Sequence, residues 1–201
     1  MPDIHVPKVD ERGASHILKL LLEVALISVG VFLGLLGEQW RESRHHQELA
    51  EQAMRRFRAE IVSNRKAVAD VKDYHVTLKK QLDAYLAASG DDRKNHPVRM
   101  VGVKPAFIET TAWELAVTTQ ALAYVNSDLA FKLSRMHLAE QVYLQMTQGM
   151  LQAMYLRPPA VGDPEPFFAT LSIYFADTTG SEPRLLALYD DVLKDIDREL
   201  R

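Results

Sequence analysis

With 201 residues, no cysteine and a net charge of −3, the chain excludes disulfides, thiolate metal sites and a global basic field for nucleic acid. Beyond residue 37 it is long enough for one domain with a real core. No local motif names a reaction or implies a cofactor.

Residues 1–16 read as an N-terminal tail. Leu20–Leu36 is a run of seventeen residues whose one charge is Glu23. Flanking Ile17 and Gly37 extend it to about the 20 residues that cross a hydrocarbon core, so 17–37 is predicted to be a transmembrane helix. A cleaved signal peptide is the weaker reading, because the run is too long and no A-x-A-like site follows it. A buried helix of a soluble bundle is the other alternative. Trp40 speaks against that, since Trp favours the membrane–water interface, and Trp40, Arg41 and Arg44 read as interface anchors. Counting Lys8, Arg12 and Lys19 against Arg41, Arg44, Arg55, Arg56 and Arg58 leans towards a cytoplasmic C-terminal domain.

At 100° per residue, Glu23, Ile27, Gly30, Gly34 and Gly37 fall within about 40° of one direction. Gly30-x-x-x-Gly34 is the spacing that lets two backbones approach closely in lipid. An ionisable group within a span faces a protein partner or snorkels, here with Lys19 one turn earlier. The spacing leaves both roles open for Glu23 and predicts a packing face for the glycines. The partners implied are the bilayer and either a second copy or another membrane subunit.

From Glu38 to Ser89 the chain has neither Gly nor Pro. A long amphipathic, coiled-coil-like helix is expected over 38–88, continuous with the span. Met54, Phe57, Ile61, Asn64, Val68, Val71, His75, Leu78, Leu82 and Tyr85 occupy successive a and d positions, with Gln47 and Ala50 upstream. Residues 64–88 are expected to pack on the chain's own later helices, and 40–60 to pack between molecules or extend. Asn64 could set register, and His75 reads as a core or boundary histidine. Arg55, Arg56 and Arg58 read as a solvated face answering Glu48, Glu51 and Glu60.

Residues 89–106 read as a linker, with Gly90, Pro97, Gly102 and Pro105 as breakers and a short extended piece at 98–103. Over 107–201 a helical domain is expected to pack on the long helix. Thr111 and Glu114 have capping-box spacing, opening a helix to about Val125. A helix over Asp128–Leu156 carries Leu129, Leu133, Met136, Val142 and Tyr143 on its apolar side and ends at Pro158-Pro159. Met136, Met146, Met150 and Met154 read as core filler. A short helix near Phe167–Phe175 is expected to break at Thr178-Thr179-Gly180. Leu185, Tyr189, Val192, Ile196 and Leu200 then mark a last helix. The fold class is all-α: a transmembrane helix continuing into a heptad-patterned helix, then a small bundle.

Glu23, six apolar or small residues, Gly30, Gly34, then Trp40-Arg41-Glu42 and Arg44 form a pattern over about residues 17–65. It resembles the N-terminus of bacterial single-pass membrane proteins grouped as a domain of unknown function. Thr111-Ala112-Trp113, Gln120-Ala121-Leu122 and Tyr143 are a looser match to a downstream helix of similar sequences. In place of the Gln/Asn-rich stretch common before the Trp stands Gly37-Glu38-Gln39. The resemblance implies residence in a bacterial inner membrane and brings no activity.

A pair of Glu-x-x-His motifs is absent from the sequence, and within 107–201 only the reversed His137-x-x-Glu140 occurs. A metalloenzyme would need His137, Glu140, Glu114 and His75 to meet in space. The leading expectation is a non-enzymatic, membrane-anchored interaction protein. The alternative is a helical ligand-sensing domain working with a separate transducer, since only sixteen residues precede the span.

Overall fold

The structure is a computed structural model that describes the backbone of residues 11–156 and 163–201, and side chains from Lys19 onward within those ranges. Residues 1–10 of the expected tail and Pro158-Pro159 lie outside it. Among the described residues, four α-helices form: α1 Glu11–Ala87, α2 Thr111–Thr118, α3 Ser127–Leu156 and α4 Glu165–Glu199. Short 3-10 turns cover Gly90–Asn95 and Ala121–Tyr124, and no strand occurs among the described residues. The fold is all-α, as the patterning predicts. Helix α1 already includes residues 11–16, so the expected tail is shorter than 1–16. The chain divides into two compact units, Met1–Glu48 and Leu49–Arg201.

Within the second unit, α1, α3 and α4 each bury a stripe at alternating spacings of three and four. On α1 it runs through Ala50, Met54, Phe57, Ile61, Asn64, Val68, His75, Leu78 and Leu82, while Val71 and Tyr85 are half-buried. On α3 it is Leu129, Leu133, Met136, Glu140, Tyr143, Thr147 and Met150. On α4 it is Leu171, Phe175, Thr178, Glu182, Leu185, Tyr189, Val192 and Ile196. This spacing keeps one face of a helix turned towards its neighbours over many turns. The ion pairs Arg58–Asp197 and Arg65–Asp190, both 2.7 Å, set α1 antiparallel to α4. Lys132 bridges Asp191 and Asp195, and the successive pairs Glu140–Tyr189, Tyr143–Glu182 and Thr147–Tyr174 set α3 antiparallel to α4.

Several expectations need correction. Residues 50–57 pack within the chain: Ala50, Ala53, Met54 and Phe57 join the core formed with α3 and α4. The heptad face of the second half of 40–60 is therefore occupied within the chain and not offered to a second molecule. The expected linker is part of the domain, because Val103 and Ala106 are buried. Its chain runs back along α1, held where Gln81 accepts the Arg99 amide and where Asn64 exchanges two hydrogen bonds with Glu109. Tyr74 sits between, its hydroxyl donating to the Gly102 carbonyl and accepting from the Val101 amide. Val142 is exposed, on the opposite side of α3 from its core stripe.

The capping box does not form. Thr110 is the N-cap of α2, without a side-chain cap bond. The free amides are taken by Glu60 of α1, whose carboxylate accepts from Ala112 at 2.8 Å and from Thr111. A helix terminus needs acceptors, and here the tertiary structure supplies one. Helix α2 stops at Thr118 rather than Val125, since Gln120 takes a left-handed conformation at φ 57°. Helix α4 runs unbroken through Thr178, Thr179, Gly180 and Pro183. The hydroxyls of Thr178, Thr179 and Ser181 fold back onto the carbonyls of Tyr174, Phe175 and Asp177, so these polar residues stay within the helix.

Candidate functional site

Two regions carry chemistry beyond ordinary packing. The first is the apolar part of α1. It is long and apolar enough to cross a membrane, and none of its apolar window is buried. Glu23, Ile27, Gly30, Gly34 and Gly37 are all exposed, and a Cβ built on any of these glycines meets nothing within 4 Å. The face is open to a neighbour. Lys19 and Glu23 do not form the ion pair their spacing offers, while Ser28 satisfies its hydroxyl on the Val24 carbonyl at 2.7 Å. At the end of the run, the Arg44 guanidinium lies over the Trp40 ring at 4.2 Å and Arg41 pairs with Glu38 at 2.7 Å. Arg55 pairs with Glu51, as a solvated face requires.

The second region is a set of buried polar layers inside the bundle. His75, fully buried, places Nδ1 2.6 Å from Glu182 Oε1. Its Nε2 lies 3.0 Å from the carbonyl oxygens of both Val103 and Lys104. Two carbonyls can only accept, so Nε2 carries a proton. At 2.6 Å, Nδ1 and the Glu182 oxygen are joined by a hydrogen bond. Tyr143 donates to the same Glu182 oxygen at 3.1 Å, and the other oxygen, Oε2, has no partner. Burial, then the nearby Glu182 charge, raises the Tyr143 phenol, so it remains a donor. With Thr147 and Thr178, this layer separates two apolar clusters, one around Phe57, Leu133 and Tyr189, the other around Leu82, Leu171 and Phe175.

The second layer centres on Glu140. Its Oε1 accepts from Asn64 at 3.0 Å and from Tyr189 at 2.9 Å. Burial, opposed by those two hydrogen bonds and helped by the Glu60 charge, pushes the Glu140 carboxyl up to about 7. His137 stacks on Trp113 with ring centroids 4.5 Å apart, and its buried Nδ1 has no hydrogen-bond partner. That nitrogen lies 3.9 Å from Glu140 Oε2. Desolvation lowers the His137 imidazole, opposed by the Glu114 charge.

The residues a metal centre would need fall into different layers, since His75 engages Glu182 and His137 faces Glu140. Among the described residues, no group of three or more His, Asp or Glu could hold a metal ion. Glu182, Tyr189 and Glu60 make hydrogen bonds inside the bundle that local motifs do not expose. The signal for Glu182 is its slot in the unbroken spacing 171, 175, 178, 182, 185, 189. No protein-family model matches the chain, and neither a curated protein nor a solved structure does.

The Glu140 layer makes stability depend on pH. A carboxyl raised in the folded state binds more protons than the unfolded chain between pH 4.5 and about 7. Its contribution to stability therefore falls as pH rises through that window and is constant above it. The depressed His137 works oppositely, losing stability as pH falls below its ordinary value. Glu140→Gln keeps an acceptor for Tyr189 and Asn64 and offers an amide donor towards His137 Nδ1. Urea titrations should show the variant gaining on the native chain by up to about 3 kcal/mol between pH 4.5 and 7.5. A pH-independent difference would contradict the assignment.

Proposed function

We propose that this chain is a non-enzymatic, single-pass membrane-anchored interaction protein, self-associating or serving as an accessory subunit of a membrane complex. One contrast carries the reading. Beyond residue 49 the core stripes of α1, α3 and α4 are buried by the domain itself and its exposed apolar side chains are scattered, while the large apolar side chains from Leu20 to Leu36 form one continuous run, each 44–72% exposed. A run of that size is far larger than the apolar patches soluble monomers expose. The glycine face, with Glu23 on the same side, supplies a close-packing surface, and Trp40 with Arg44 supplies an interfacial anchor. The resemblance of residues 17–65 to bacterial single-pass proteins supports the inner membrane as the location. The basic count after the span supports a cytoplasmic domain.

The test is extraction and sizing. The full chain should stay with the membrane after a carbonate wash and migrate as an oligomer or complex in mild detergent. Gly30→Leu should shift it to a smaller species. The added side chain meets nothing in its own chain, so a change in size reports a neighbour. A chain found in the soluble fraction contradicts the anchor. A monomer without co-purifying protein, unchanged by Gly30→Leu, contradicts the interaction.

A further inference from the structure

Helix α3 carries a second line of side chains on its outer face. Phe131, Arg135, Leu138, Val142, Gln145 and Gly149 recur at alternating spacings of four and three, opposite the core stripe. Of the exposed apolar side chains scattered over the domain, three share this line: Phe131 and Leu138, each 65% exposed, and Val142 at 48%. At 1.5 Å per residue the line runs for about 27 Å along the helix. Between it and α4 lies a groove of about 370 Å³. Its walls are mostly aliphatic, with Leu138, Ala139 and Val142 on the α3 side and Leu185 and Leu188 on the α4 side.

Two arginines mark this groove. Arg135 lines it from α3 and Arg184 from α4, and both are exposed. Neither forms an ion pair among the described residues, whereas Arg58, Arg65 and Arg93 each hold a carboxylate. The antiparallel pairs Glu140–Tyr189 and Tyr143–Glu182 put Arg184 level with residues 140–143 of α3. Arg135 therefore lies about two helical turns away, roughly 10 Å along the groove. The chain's own carboxylates on this side do not answer either cation. Asp191 is held by Lys132, and Asp177 sits about two turns beyond Arg184, outside the groove walls. An aliphatic groove with an unanswered cation near each end fits an apolar segment flanked by two carboxylates.

We infer that the α3–α4 groove receives an amphipathic helix of another protein, bearing two carboxylates about seven residues apart with aliphatic side chains between them. Seven residues of helix rise about 10 Å and return to the same face. The two carboxylates then reach Arg135 and Arg184, while the residues three and four positions along meet Leu138, Val142 and Leu188. Arginine holds a carboxylate through two parallel hydrogen bonds, which fixes the register of such a helix. Charge selects another protein over a second copy. With α1 of both copies running the same way, a two-fold axis sets Arg135 and Arg184 each level with its own counterpart, and like charges oppose the contact. This docking rests on the accessory-subunit form of the proposed function and names its surface. It does not use the glycine face of α1, so the two can fail separately.

A photo-reactive benzoylphenylalanine in place of Val142 reports what lies in the groove. In the full chain in its native membranes, it should form an adduct with a different protein. Peptide mapping should place the contact on a helical segment with two carboxylates about seven residues apart. The same probe in place of Lys80, exposed on α1, should not form that adduct. Arg135→Glu and Arg184→Glu should each cut the yield about tenfold through like-charge opposition. Exchanging the mapped carboxylate for arginine should restore the yield in the matching glutamate variant. Both arginines are exposed, and circular dichroism of each variant should match the parent. No adduct above the Lys80 level, a yield indifferent to both reversals, reversal without rescue, or an adduct with lipid or a second copy alone would overturn the docking. The adduct is read in the carbonate-washed membrane and in the soluble fraction alike. A chain retained in the membrane without a groove adduct overturns this docking alone. A soluble chain that forms the mapped adduct supports the docking and overturns the anchor.

Discussion

Glu182→Ala should destabilise the domain by about 3–5 kcal/mol, the ordinary cost of removing one partner from a buried charged pair. The carboxylate is fully buried and receives His75 and Tyr143 on one oxygen. Without it, His75 Nδ1 and the Tyr143 hydroxyl lose their partner, and a cavity opens between the two apolar clusters. His75→Ala should cost as much, since it leaves a carboxylate in the interior and takes the donor from the Val103 and Lys104 carbonyls. For a domain of this size each kilocalorie moves the midpoint by roughly 2–4 °C, so melting should fall by about 6–20 °C. His75→Leu with Glu182→Met should recover part of the loss, because an apolar pair leaves no isolated charge. Recovery stays partial while two carbonyls lack their donor. Thermal melts of the four proteins in detergent, followed by circular dichroism, decide the matter. Singles within about 1 kcal/mol of the native chain would mean that water reaches the layer and the pair is not a structural one.

Leu26→Arg combined with Val31→Arg should release the chain from the membrane fraction, each arginine costing about 2.5–3.5 kcal/mol of insertion near the centre of a span. Leu26 is 72% exposed and Val31 59%, so neither substitution disturbs packing within the chain. The core of residues 49–201 draws on neither position. The released protein should keep its helical circular dichroism and its melting temperature, which separates loss of the anchor from loss of the fold. Retention of the double variant after a carbonate wash would show that the domain itself, not the apolar run, holds the membrane.

Helix α4 shows where local reading stops. Thr178-Thr179-Gly180 followed by Pro183 looks like a break, because each residue is a poor helix former taken singly. Seen from the core, Thr178 and Glu182 are two steps of an eight-residue stripe that continues the apolar ones on either side. A polar pair in the middle of a stripe splits it for any reading that counts apolar residues. The same effect hid the partner of His75, which occupies a recognisable heptad slot while Glu182 lies 107 residues away. The Thr111–Glu114 capping box failed for a related reason, since Glu60 arrives from α1 to take the amides. On α1 the apolar run and the heptad positions were visible because each depends only on near neighbours along one helix.

What the sequence determined by itself is what helical periodicity encodes. It specified an all-α chain, one apolar run long enough to span a bilayer, and a 54–85 stripe with polar slots at Asn64 and His75. Helix formation and amphipathicity are local, so a few turns of sequence suffice to express them. Only the tertiary structure decided which stripes meet. It turned residues 50–61 inward, drew the 98–110 segment along α1, and brought Glu140 and Glu182 beneath Asn64 and His75. Those pairings join residues 76 and 107 positions apart. They are chosen by shape and by the cost of burying a polar group without a partner, and neither is written in any short stretch of chain.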